Sequence, residues 1–255
     1  MPDYTIPNLR NACRILDCLA HAEQPLSSSE IADKLEIPRS TALRILFTLE
    51  AQQYIRKEGK RITLGSALIP LGNKAQKTLS IRELAGPILQ KLTEATGETS
   101  HLAILAADKV LLLEVCNSPH PLSANSPQGA TADLHCSATG KALLAYMDKS
   151  EREPLLDRID YTIRTPNTLP GKQELLTKLT EIHKLGYAID EQEYHEGIRC
   201  IAAPVFDARG IAVYAIGITA AASRFTRAKI KPYAGRLLEL AHELTKRLGG
   251  QITGC

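Results

Sequence analysis

The 255-residue sequence is missing most of the features that would assign it to a class at once. Its cysteines, Cys13, Cys18, Cys116, Cys136, Cys200 and Cys255, contain no Cys-x-x-Cys pair. A chain of this length needs no disulfide staples, so reduced thiols in a cytoplasmic protein are the plain expectation. Met1-Pro2-Asp3-Tyr4 does not begin a basic leader followed by an apolar core, and the longest weakly polar run, Ile211 to Ala222, is too short to span a bilayer. No membrane partner is expected. Internal repeats and low-complexity tracts are absent, as are a glycine-rich phosphate loop and a Gly-x-Ser-x-Gly nucleophile elbow. Those absences leave a folded chain without the common signatures of catalysis.

What is present is an ordinary globular composition, 44% hydrophobic and 23% charged, with a net charge of +3. The position of that charge matters more than its size. Residues 1–79 hold 11 Lys and Arg against 8 Asp and Glu, whereas residues 80–255 hold 20 of each. Within the first third, Arg39, Arg44, Arg56, Lys57, Lys60 and Arg61 face only Glu50 and Glu58, a local excess that attracts phosphate.

Periodicity supplies the elements. Leu9, Ala12, Ile15, Leu16 and Leu19 recur at helical spacing up to Gln24-Pro25. Ser27-Ser28-Ser29-Glu30 is a capping-box sequence that starts a second helix ending near Glu36. Pro38 cannot continue that helix but suits the first turn of a third, from about Arg39 to Gln53, with Ala42, Ile45, Leu46 and Leu49 inward. Tyr54 to Lys57, a turn at Glu58-Gly59 and Lys60 to Leu64 then read as a basic hairpin. Helix, turn, helix and hairpin make a winged helix-turn-helix over residues 1–65.

From Ser66, Leu68, Leu71, Ala75 and Leu79 repeat at spacings of three and four, which predicts a linker helix over 66–80 reset or kinked by Pro70. Residues 81–250 alternate helices with strands. Strands are expected over Ser100 to Ala106 and Lys109 to Cys116, and a hairpin over Arg199 to Phe206 and Ile211 to Thr219. Helices are expected to Ala95, over Gly140 to Met147, over Gln173 to Leu185, and at the C-terminus with Ile230, Ala234, Leu237, Ala241, Leu244 and Leu248 on one face. The fold class is therefore α+β, with an antiparallel sheet flanked by helices in the second domain.

An α-helix fits the DNA major groove, and its N-terminal residues meet base edges there. Ser40, Thr41 and Arg44 lie opposite the inward residues of the third helix, and Arg39 opens it. Arg44 is the candidate for a bidentate contact to guanine; Arg39, Ser40 and Thr41 suit phosphates or bases, and Lys60 and Arg61 suit the backbone. A plain helical bundle with a solvated charged face is the alternative. Double-stranded operator DNA is the expected partner.

Three stretches give the chain a wider likeness: Pro38 to Ala42 with Thr63-Leu64-Gly65; Leu134 to Ala142; and Gly186-Tyr187 through Asp190-Glu191 to Gly197 to Asp207. In that order they resemble the IclR family of bacterial transcription regulators over nearly the whole chain. The resemblance implies a GAF-like C-terminal domain that binds a small organic acid, and dimers or tetramers on palindromic operators. It further implies that the backbone at Ala138 and Thr139 receives the ligand carboxylate, with Asp190 and Cys200 as polar ligand contacts and Gly217 and Thr219 lining the cavity. One departure is Asp133, which stands where a proline commonly precedes the leucine and histidine.

Independently of that likeness, Ser137-Ala138-Thr139-Gly140 leads into a helix whose free amides suit a carboxylate. Cys200 read alone is an inert buried thiol, and Asp190 a group satisfying local backbone. Two other arrangements of these residues compete with sensing. A thiol enzyme would use His135, Asp190 and Cys200, and a metal sensor His101, His135, Cys136 and Cys200, which lack short ligand spacing. No catalytic residue, metal or resident cofactor is assigned. The runner-up is a DNA-binding regulator whose second domain only oligomerises.

Overall fold

The computed structural model describes residues 4–20, 22, 24–71, 74, 81–121, 123–124 and 127–250. The chain divides into two compact units, Met1–Leu79 and Ser80–Cys255.

In the first unit, α1 (Pro7–Ala20), α2 (Ser28–Leu35) and α3 (Arg39–Ala51) precede the strands β1 (Ile55–Glu58) and β2 (Arg61–Leu64). The capping box forms as its residues dictate: Glu30 N donates to Ser27 Oγ at 3.3 Å, and Ser27 N donates to Glu30 Oε2 at 2.6 Å. Glu36, left-handed at φ 55°, ends α2. Pro38 sits at the N-cap of α3, one place before the first turn expected for it. α3 stops short of Gln53, whose φ of 60° takes it out of the helix.

The hairpin turns at Gly59 and Lys60, one residue later than the sequence suggests, because Glu58 still pairs with Arg61. Leu26 bridges Ile62 as a third, single-residue strand. Gly65 closes the wing by passing against the chain: a Cβ there would meet Gln53 O at 2.1 Å. Ile15, Leu19, Leu26, Ile31, Ile45, Leu46, Leu49, Ile55 and Ile62 form the core. Of the linker expected over 66–80, residues 68–71 and Lys74 are helical. Ala75 and Leu79 of its proposed seam lie outside the described residues.

The second unit is built on six antiparallel strands in the order β5 (Thr131–Asp133), β4 (Lys109–Cys116), β3 (Thr99–Ala106), β8 (Ala212–Ala221), β7 (Ile198–Phe206), β6 (Ala188–Glu191). Helices α4 (Ile81–Thr96) and α8 (Arg227–Arg247) cover one face, burying Leu89, Leu92, Leu237 and Leu240 against Leu102, Ile201, Ile216 and Ile218. Helices α5 (Ala138–Ala145), α6 (Lys149–Leu156) and α7 (Lys172–Leu185) pack on the other with Ala103, Ala202 and Ala215. Because side chains alternate across a strand, neighbours on β3 face different layers. Ser100 turns to α4, where its Oγ donates to Leu89 O at 2.8 Å, while His101 turns to the α5 face.

β5, α6 and β6 are elements that the sequence pattern does not predict. Two are strands of three and four residues, and α6 carries Pro154. The expected helix at Gly140 begins two residues earlier at Ala138, because Ser137 is its N-cap and accepts from Gly140 N.

Candidate DNA interface and effector cavity

The outward face of α3 is as its periodicity demands. Ala42, Ile45, Leu46 and Leu49 are buried, while Arg39, Ser40 and Arg44 are exposed and Thr41 is half-buried. Pro38 offers no side-chain cap, so the first amides of α3 are left without one. Arg39 pairs at 3.5 Å with Asp33 on α2, both exposed. Lys60 is exposed in the wing turn. Arg61, by contrast, is folded back onto α2, donating to Pro25 O and Glu30 Oε2, each at 3.0 Å. It braces the wing against the capping box. The same outward face also carries two apolar residues that the charge pattern does not single out, Leu43, 53% exposed, and Phe47, 74% exposed. Their signal was available, since both are apolar at positions opposite the inward stripe.

In the second unit a cavity of about 440 Å³ opens between the sheet and the start of α5. Strand register places Asp190, Cys200 and Thr219 side by side on three adjacent strands. Thr219 Oγ1 donates to Cys200 Sγ at 3.4 Å. Ala138 and Thr139 reach the same space from α5. Of the first amides of that helix, Gly140 N is taken by Ser137 Oγ and Lys141 N by Ser137 O. Those of Ala138 and Thr139 have no partner among the described residues.

Gly217 does not line the cavity. The imidazole of His101, its register partner, lies over it, and it is His101 that borders the space. The sequence pattern marks His101 only as a possible metal ligand. Tyr194, His195 and Glu196 line the cavity as well.

The electrostatics follow from burial. Asp190, 1% exposed, accepts from Glu193 N at 2.6 Å and Tyr194 N at 3.3 Å. Desolvation nonetheless raises its pKa to about 6, against the opposing pull of Lys141. Lys141 is fully buried and ion-paired with Glu193, whose Oε2 has no partner. Burial pushes the Cys200 thiol well above its ordinary pKa and lowers that of His101 to about 4.

Asp133, the departure from the family pattern, is gripped by Lys109 and Arg164, and Arg164 stacks 4.4 Å above the Tyr194 ring. The charge that replaces the proline thus ties strand β5, through Arg164, to Tyr194 of the cavity lining. Of the loop before it, Asn125 and Ser126 lie outside the described residues.

The rival arrangements do not assemble. His135 is buried against Tyr161, with Nε2 on Thr162 O, and is not among the residues that border the cavity. Among the described residues no group of three or more His, Cys, Asp or Glu is placed to hold a metal ion. Nor is any described helix long and apolar enough to cross a membrane.

Family models then decide the assignment. The IclR helix-turn-helix domain matches residues 9–59, and the bacterial transcriptional regulator IclR C-terminal domain matches residues 73–246. The chain belongs to the IclR family. BhcR of Paracoccus denitrificans is 33% identical over 239 residues, covering 93% of this chain and 85% of that protein. KdgR of Escherichia coli is 29% identical over 229 residues, covering 89% and 87%. Both are HTH-type transcriptional regulators.

Among solved structures, the Thermotoga maritima IclR superposes with a TM-score of 0.65 at 32% identity over 94% of this chain and 98% of that one. The Agobacterium tumefaciens repressor BlcR gives 0.82 at 25% over 97% and 99%. This IclR-family chain is therefore a DNA-binding transcription regulator and not an enzyme, and regulators of its family bind small-molecule effectors.

Proposed function

We propose that this regulator senses a small organic acid in the cavity of its second unit and adjusts operator binding in response. The observation that carries the reading is the pair of unpartnered amides, Ala138 and Thr139, at the start of α5 against a cavity of about 440 Å³. Helix N-termini bind carboxylates through such amides and the positive end of the helix dipole. Asp190, Cys200 and Thr219 supply polar contacts opposite. A domain that only oligomerises has no use for a cavity with these buried polar groups.

On the DNA side, Arg44 reads a guanine, Arg39, Ser40 and Thr41 hold the helix on its site, and Lys60 grips a phosphate. Leu43 and Phe47 offer the apolar contact that a thymine methyl accepts. Two copies, as a dimer or within a tetramer, present paired recognition helices to a palindromic site in the cytoplasm.

A thermal-shift screen of small carboxylates, with and without chelator, tests the reading. Acids are expected to stabilise the protein equally in both conditions. Stabilisation by no acid, or loss of folding on chelation, would overturn it.

A further inference from the structure

β5 and β6 are the outermost strands of the six-stranded sheet, with four strands between them. One side chain nevertheless joins the two edges. Arg164 pairs through Nε with Asp133, the last residue of β5, and lies 4.4 Å above the ring of Tyr194, three residues beyond β6. The ion pair fixes the guanidinium, and the cation–π contact passes that hold on to the ring.

Both ends of this bridge belong to the cavity wall. Thr131 and Ala132 line the cavity beside Asp133, and His195 and Glu196 line it beside Tyr194. Of these, Thr131, His195 and Glu196 are also exposed, so the cavity reaches the surface next to both edges. Arg164 is not among the lining residues, and its side chain is 36% exposed, which sets it between the wall and solvent. The backbone leading to Tyr194 is fixed by other groups. Thr165 Oγ1 donates to Gln192 O and Thr168 Oγ1 to Glu193 O, each at 2.7 Å. What Arg164 adds is the position of the ring.

We propose that Arg164, anchored on Asp133 and stacked on Tyr194, is a clasp that closes the cavity and sets the rate at which small molecules enter it. Releasing the ring opens the wall as a local event, without unfolding the sheet. The consequence for an effector rests on the reading of the cavity given above; the clasp itself does not, because any small molecule has to pass it.

Cys200 lines the cavity and reports its opening. The full chain is treated with methyl methanethiosulfonate, a small neutral thiol reagent, and labelling at each cysteine is followed by mass spectrometry. Arg164→Gln and Tyr194→Leu are each expected to speed Cys200 labelling at least about threefold. The double substitution is expected to be no faster than the quicker single one, because either alone opens the clasp. Tyr194→Phe keeps the aromatic face and should keep the original rate. Lys109 still holds Asp133 in all of these variants, so none leaves that carboxylate unpaired.

Repeating the rates in urea below the unfolding transition separates opening from unfolding. A local clasp gives fast Cys200 labelling that changes little with urea, and leaves Cys136, fully buried outside the cavity, at its original rate. An unchanged Cys200 rate in Arg164→Gln overturns the clasp. So does an acceleration that climbs steeply with urea and extends to Cys136, which would make the pair a prop of the fold. Either result leaves acid sensing standing, and failure of every acid in the thermal-shift screen leaves the clasp standing.

Discussion

Arg44 and Lys60 are both exposed cations of the first unit, but their substitution should remove different things. A bidentate contact to a base carries sequence information; a phosphate contact does not. Arg44→Ala is expected to weaken specific binding by about 1–3 kcal/mol and relax one base preference, and Lys60→Ala to weaken all sequences alike with a shallower salt dependence. Gel shifts on matched and single-mismatch operators check this, and unchanged affinity in Arg44→Ala would remove that residue from the reading edge. In the cavity, Asp190 titrates near pH 6 because burial disfavours its charge, with Lys141 and Glu193 as its charged neighbours. An acid bound beside it is repelled once it ionises. Effector affinity should therefore fall as pH rises through about 6, and Asp190→Asn should flatten that dependence in titrations between pH 5.5 and 8. Arg44 was legible because a helical period exposes it, and Asp190 and Cys200 because motifs of the family mark them. His101 carried no motif. Its place at the cavity is visible only through strand register, which sets it over a glycine, and the trace left in the sequence is that one glycine inside an apolar strand.

Elements read from strong local chemistry came out nearly as written. The capping box of α2 is an example, and Ser27→Ala should cost about 0.5–2 kcal/mol in thermal unfolding, because the amide of Glu30 then loses its acceptor. Elements fixed by distant contacts did not announce themselves: β6 exists because Asp190 and its neighbours pair with β7, and β5 because Asp133 is held by Lys109 and Arg164. The same holds for the ion pair between Lys141 on α5 and Glu193 after β6, which joins two elements 52 residues apart in sequence. Lys141→Met leaves a buried carboxylate uncompensated and should destabilise the second unit by about 3–5 kcal/mol at neutral pH. Denaturant unfolding at pH 7 measures it. Partial recovery in Lys141→Met/Glu193→Gln would show that the lost charge balance, rather than packing, is responsible.

At the scale of the whole molecule, sensing is a coupling between two sites, and coupling of affinities is reciprocal. An acid that weakens operator binding tenfold must itself be bound tenfold more weakly by the operator complex, and titrations with and without DNA compare the two factors. Acids that bind without changing operator affinity would dissociate sensing from regulation. The architecture offers a short route for the signal inside the second unit. On β3 the ring that borders the cavity and the hydroxyl that holds Leu89 of α4 belong to adjacent residues, so cavity and helix share one wall only a single peptide thick. Such a wall cannot be pushed on one side without being felt on the other. Ser100→Ala is expected to leave the acid's affinity for the free protein unchanged and to shrink its effect on operator binding, severing the message while sparing the receiver.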